Sequence, residues 1–452
     1  MIAEENRATS APYRFIVAAG IAYMMLRPVG HGEILYPVLA VVAVLSLGAI
    51  LVGRQRTSTE VSGVICVALV IAIYGTVVGA QNPGVEQHAT VWFLGTLVFG
   101  VWALGADERM IKALMFASAW ATICLSALIL LYVGAQTGII PSILPSWLMD
   151  ETNAGFNVED GSTAIRLYGL STLVAAAPMW VVASLVQNHP LLPKRVVRVI
   201  AAVLAVGASI VGGRNAIVVV LVIVPIVIML VRRFGRRGRN VERRAPRPGA
   251  VLLGAMAVIA IPVAVPLMFS NAAIQKAWGS VVDYFSGNSG QEARVDQSAF
   301  LIDAWLKEPI TGNGFGAVIQ GFSRSEDRPW NFELQYHMYL FQTGLVGVVL
   351  GVLLVGLAIR AIVRGFRARR DLAPVFLVSV SAALAMVIAN ATNPYLQAPG
   401  HMWSIWLPLM VANVALLRPK QDTLDLPPNG HGLTDLSIRQ GLNVSNARAT
   451  GD

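Results

Sequence analysis

Charge is what this chain has least of. Asp, Glu, Lys and Arg make up 13% of its 452 residues, against roughly 25% in a soluble domain. So few charges cannot cover the about three soluble domains that such a length would otherwise fill. Cysteine is almost missing: Cys66 and Cys124 both sit inside apolar runs. With no CxxC and no zinc-ligand spacing, neither a disulfide framework nor a structural zinc is expected. What the chain has instead is apolar residues, 56% of the total, and a mean hydropathy of +0.64. The net charge of +9 in such a chain marks the cytoplasmic loops of a membrane protein before it marks a nucleic-acid binder.

Apolar stretches able to cross about 30 Å of hydrocarbon recur at about 13–27, 35–52, 61–79, 89–105, 113–135, 165–187, 197–212, 214–231, 250–269, 337–358, 372–390 and 401–417. The pattern predicts an all-α polytopic membrane protein with about twelve transmembrane helices. The first stretch is signal-peptide-like, but Leu26-Arg27-Pro28-Val29 follows it with no small-residue cleavage site, so it reads as an uncleaved span. With both termini inside, 26 of the 34 basic residues fall on the cytoplasmic side, as the positive-inside rule requires. Spans one to nine then occupy 1–269, a partly helical outer loop 270–336, spans ten to twelve 337–418, and a polar, disordered cytoplasmic tail 419–452.

Ionisable residues are also lacking near the middle of every span. Ion-coupled transport commonly needs them there, which weighs against a transporter. Chemistry is therefore expected on the outer face, where positive charge is scarce and three arginines stand out. Arg166 opens the sixth span, Arg214 lies in the turn Gly212-Gly213-Arg214-Asn215, and Arg294 begins a helix expected over 292–307. Singly, each reads as an interfacial anchor. Together they suit a polyanion such as a diphosphate, because guanidinium forks bind phosphate oxygens bidentately.

The outer loop carries a first expected helix over 271–286 and, after Arg294's helix, the run Gly312-Asn313-Gly314-Phe315-Gly316. This GxGxG follows a helix rather than a strand, so it carries no nucleotide-loop signal. It reads as a flexible turn that lets backbone approach a ligand or a membrane helix. Further on, Glu333 and His337 would share a face at i, i+4 on a continuous helix, where a carboxylate can orient an imidazole for general-base work. His31 and His401 are competing outer-face histidines. Trp147, Trp330 and Trp403 read as interfacial anchors, and no metal cluster or DxD pair is visible.

Arg214 in its Gly-Gly-Arg-Asn turn, Arg294, the Trp305 to Gly316 run, and His337-Met338-Tyr339-Leu340 with Thr343-Gly344-Leu345-Val346-Gly347 occur in an order that resembles the bacterial O-antigen ligase and O-antigen polymerase superfamily. The topology matches along most of the chain, the motifs over about 160–350. Gly213-Arg214-Asn215 stands where members commonly have Ser-Arg-Gly, and His337-Met338 where they have His-Asn. The resemblance implies a type C glycosyltransferase-like fold in the cytoplasmic membrane. It also implies a metal-independent, inverting transfer with no cofactor, from an undecaprenyl-diphosphate-linked glycan to a glycan, lipid or protein acceptor. By that resemblance Arg214 and Arg294 hold the diphosphate, Arg166 assists, His337 takes the acceptor proton, and Glu333 orients His337. A flippase or exporter of lipid-linked oligosaccharide, or a non-catalytic scaffold of an envelope complex, are the alternatives.

Overall fold

The computed structural model describes residues 10–29, 32–52, 57–159, 162–234, 291–323 and 325–417. The expected ninth span at 250–269, the loop helix at 271–286, His31 and the tail 419–452 lie outside the described residues. The helices are α1 (Ser10–Leu26), α2 (Gly32–Val52), α3 (Thr59–Val78), α4 (Val85–Leu104), α5 (Glu108–Gln136), α6 (Ser146–Glu151), α7 (Leu173–Leu185), α8 (Arg195–Val211), α9 (Asn215–Phe234), α10 (Gln291–Lys307), α11 (Gln335–Ala368), α12 (Ala373–Ala389) and α13 (Trp403–Leu416). Helices thus lie at eleven of the twelve expected spans. Among the described residues, seven are long and apolar enough to cross a membrane, and α1, α7 and α13 are shorter apolar helices. The chain is a helical, multi-pass membrane protein.

Local chemistry fixes several boundaries. Ser58 caps α3 by accepting from Val61 N at 3.5 Å, and Asp107 caps α5 by accepting from Met110 N at 2.7 Å. Such caps satisfy N–H groups that have no partner within the helix. The first half of the α7 sequence, Leu-Val-Ala-Ala-Ala-Pro, offers small side chains on every face, and all but the last two residues of this helix are buried. A helix apolar all round belongs at the centre of a bundle, and α7 packs there against α8, α9 and α12.

The sixth expected span needs correction. Residues 165–169 are not helical: Arg166 ends a strand, β2 (Ser162–Arg166), paired antiparallel with β1 (Gly155–Glu159). Helical geometry begins only at the 3-10 turn Leu170–Thr172 that leads into α7. The all-helical expectation thus holds for the described apolar segments but not for this polar connection.

The tenth span also differs. An unbroken helix was expected over 337–358, but α11 is interrupted at Gly344, with φ 59° and ψ −162°. The interruption frees backbone groups, and in an apolar setting each must find a partner. The glycine-rich run supplies them. Asn313 N donates to Phe341 O at 3.0 Å and Gly314 N to Gln342 O at 2.8 Å. Leu345 N donates to Pro309 O at 2.9 Å and Val346 N to Ile310 O at 3.1 Å. Gly312, Gly314 and Gly316 have φ of 72°, 80° and 72°, a region that L side chains rarely enter. At the tip, Phe315 N donates to Gly75 O at 2.9 Å, and the Phe315 ring stacks on Trp92 with centroids 5.8 Å apart. The run is therefore a plug of membrane-helix backbone, in line with the second use expected for it.

Of the three tryptophans read as anchors, only Trp147 is exposed, at 64%. Trp330 covers Gly84 and donates to Gln87 Oε1 at 2.9 Å, and Trp403 is buried. Both serve internal packing.

Contacts sort the helix ends into two groups. At one end Arg27 pairs with Glu151 at 2.6 Å, Thr172 Oγ1 donates to Met25 O, and Asn82 Nδ2 donates to Asn313 O at 2.7 Å. At the other, Arg14 pairs with Asp107 at 2.6 Å, Arg369 with Glu108 at 2.9 Å, and Arg364 with Glu60. Buried Asn413 ties this second end together: its Oδ1 accepts from Ser58 N at 3.1 Å and its Nδ2 donates to Ala103 O and Leu104 O. Asn413→Ala would strand a buried N–H and two carbonyls. A loss of about 2–3 kcal/mol is expected, read as a lower unfolding temperature in detergent.

Candidate functional site

The first of these ends gathers the polar side chains that the apolar body lacks. Arg214 is placed by a tight turn in which Gly213 takes φ 65°, and its carbonyl accepts from Ile217 N at 3.0 Å. It thus stands at the N-cap position of α9 with its side chain exposed. The N-terminal N–H groups and dipole of a helix favour an anion beside it.

Arg294 lies near the start of α10, half-buried, where its Nε donates to Glu333 Oε2 at 3.2 Å. Nη1 and Nη2 have no partner among the described residues. One turn on, the buried Gln297 offers Oε1 to Glu333 N at 3.0 Å and Leu334 N at 2.9 Å. Leu334 is the N-cap of α11 and has no capping side chain of its own. Gln297 supplies that cap from a neighbouring helix and so fixes α10, with Arg294, against the start of α11.

This geometry corrects the role expected of Glu333. The helix starts at Gln335, so Glu333 and His337 do not share a helical face, and no hydrogen bond joins them. The carboxylate orients Arg294 instead. His337 sits in the first turn of α11, half-buried and without a hydrogen bond among the described residues. Its surroundings are set by Tyr336, whose Oη donates to Val387 O at 2.6 Å, and by Met338, whose sulfur accepts from Gln397 Nε2 at 3.4 Å.

The segment that carries Gln397 also carries Tyr395, in the connection between α12 and α13. Tyr395 is 6% exposed, and its hydroxyl has no aligned hydrogen-bond partner. Burial pushes the phenol up from its ordinary value. The Arg214 guanidinium opposes this most strongly and Arg294 less, while the Glu333 carboxylate adds to the rise. Arg214, Arg294 and Glu333, from three separate parts of the chain, therefore share the neighbourhood of one buried hydroxyl. Sequence reading did not single out Tyr395. Its only sequence signal is a polar turn, Asn390 to Tyr395, between two apolar runs.

The other expected residues do not act on the Tyr395 hydroxyl with the two arginines. Arg166 is exposed at the end of β2 and makes no ion pair or hydrogen bond among the described residues. His401 is buried, with Nδ1 2.8 Å from Tyr395 O and Nε2 2.9 Å from Ser171 Oγ. Burial pushes its imidazole down to about 4. With both ring nitrogens engaged and no exposure, it cannot meet an acceptor. Among the described residues no group of three or more His, Cys, Asp or Glu could hold a metal ion.

No model of a known protein family matches the chain, and no curated protein matches it. The chemistry must be argued from the site. Two guanidinium groups and a phenol can all donate to a ligand, and the His337 imidazole, next to the Met338 that meets Gln397, offers a nitrogen that can take a proton. Such a set fits an oxygen-rich anion next to a reacting hydroxyl.

Proposed function

We propose that the protein is a membrane glycosyltransferase of the O-antigen ligase or polymerase type. It takes glycan from an undecaprenyl-diphosphate donor at the outer face of the cytoplasmic membrane and passes it to a glycan, lipid or protein acceptor. One observation supports this reading: Arg214 and Arg294 both act electrostatically on buried Tyr395, two residues from Gln397, which meets Met338 next to His337. The orientation rests on charge, since the end opposite this site carries Arg14, Arg364 and Arg369 and would face the cytoplasm.

The acceptor hydroxyl oxygen attacks the anomeric carbon of the donor sugar from the side opposite the diphosphate. The bond from that carbon to the diphosphate oxygen breaks, and the lipid diphosphate leaves with the electron pair. His337 takes the hydroxyl proton as the new bond forms. Arg214 and the Nη atoms of Arg294 stabilise the charge that grows on the leaving oxygen. Glu333 keeps the Arg294 fork in place. Arg166 would contribute only through a donor that reaches the β-hairpin.

Arg214→Ala and Arg294→Ala are each expected to weaken binding of undecaprenyl diphosphate by about 10- to 100-fold, as loss of a charge-assisted hydrogen bond does. Titration of the nanodisc-embedded protein with that lipid checks this. Unchanged affinity in both variants would remove the diphosphate site.

A further inference from the structure

The turn between α12 and α13 has little regular structure to hold it. Two 3-10 turns, Tyr395–Gln397 and Pro399–His401, make up much of it. Tyr395 nevertheless sits buried beside Arg214, whose guanidinium lies within hydrogen-bonding reach of its oxygen, and near Arg294, while its O–H proton meets no aligned acceptor among the described residues. A buried O–H donor without an acceptor costs about 1–3 kcal/mol unless something else satisfies it. Its place in a cationic site identifies what could: an acceptor oxygen on the bound anion.

What keeps Tyr395 there is visible in the hydrogen bonds around it. Asn390 Oδ1 accepts from Leu396 N at 3.0 Å at one side of the turn. On the other side stands His401, 1% exposed, its ring edge-on to the Tyr395 ring at 83° with centroids 6.1 Å apart. The carbonyl of Tyr395 can only accept, so His401 Nδ1 carries the proton across that 2.8 Å contact. Nε2 then accepts from Ser171 Oγ at 2.9 Å. Ser171 belongs to the 3-10 turn leading into α7, where neighbouring Thr172 Oγ1 donates to Met25 O. Gly400 packs on the Pro28 backbone too closely to admit a Cβ. The imidazole thus joins the Tyr395 turn to a framework anchored by α1 and α7.

We infer that Tyr395 is a third contact to the bound anion, and that His401 is the positioning residue that holds its hydroxyl there. This rests on the diphosphate reading of the site. His401 touches no ligand and acts only through Tyr395. A histidine that merely fills the core would leave Tyr395 free to act without it, and coupling between the two residues separates the cases.

The test is binding of undecaprenyl diphosphate, with undecaprenol as control, to the full-length protein in nanodiscs, with thermal unfolding followed in parallel. Tyr395→Phe should bind about tenfold more weakly at unchanged stability, as loss of one hydrogen bond to a charged group implies. His401→Leu should lose a similar factor, and the double variant no more than either alone. His401→Asn retains a donor where Nδ1 stood and should bind within about threefold of wild type. It also stands in should the leucine variant fail to fold. Multiplying losses in the double variant, or full affinity in Tyr395→Phe or His401→Leu, would overturn the inference while wild-type binding keeps the site reading intact. Equal binding of undecaprenyl diphosphate and undecaprenol by wild type would overturn both.

Discussion

His337→Ala is expected to lower glycan transfer by about 10²- to 10⁴-fold, the range for removal of a general base, while binding of undecaprenyl diphosphate stays near wild type. The split follows from the site. His337 lies in the first turn of α11 without a hydrogen bond to any described group, so its removal breaks no scaffold contact. It is not among the groups that act on Tyr395, so the anion keeps its ligands. A loss confined to the chemical step lowers kcat with little change in KM for the donor. Single-turnover transfer and donor titration on the same preparation check both parts. Full turnover in His337→Ala would end its assignment as the base.

Gly314→Val and Gly344→Ala are expected to be the most damaging single changes to the fold. A Cβ on Gly314 would overlap the backbone of Gly79, and one on Gly344 would overlap that of Ile310 and Gly312. Neither neighbour is the flexible tip of a side chain, so nothing can swing aside. Gly344 also holds φ 59° with ψ −162°, where other residues pay about 1–3 kcal/mol before any overlap. Together a loss of at least about 3 kcal/mol is expected, with cleavage of 309–334 by added protease. Activity should fall too, because the same run precedes the segment that delivers Glu333 to Arg294. Gly356→Ala makes the contrast: an added Cβ meets nothing within 4 Å, and alanine favours helix by about 1 kcal/mol. Thermal unfolding of the three variants side by side tests this, and equal stabilities would contradict the plug.

The expected helical spans were legible because apolar length is a local property. Gly344 was not, since Thr343-Gly344-Leu345 reads as more of the same apolar run. The break depends on residues 309–316, far away in sequence, supplying partners for its backbone. Glu333 misled for a related reason. Spacing from His337 is meaningful only if the helix already includes both, and here Gln297 caps it one residue after Glu333. Arg166 sits in Ile-Arg-Leu-Tyr, apolar enough to join the next span, yet a paired strand claims it. Arg214 and Arg294 could be picked out as cations on a face poor in them. Their meeting point, Tyr395, carries no charge and no motif, and only the folded chain reveals it.

Transfer from a diphosphate lipid is expected at the end that holds Arg214, Arg294 and His337. Reconstitution into liposomes with undecaprenyl-diphosphate oligosaccharide and a panel of acceptors tests it most directly, with release of undecaprenyl diphosphate measured alongside glycosylated product. Stoichiometric release and product formation are expected without ATP or an ion gradient, and both should be lost in His337→Ala. Movement of the lipid-linked sugar across the bilayer driven by ATP or a gradient, with no product formed, would contradict the claim.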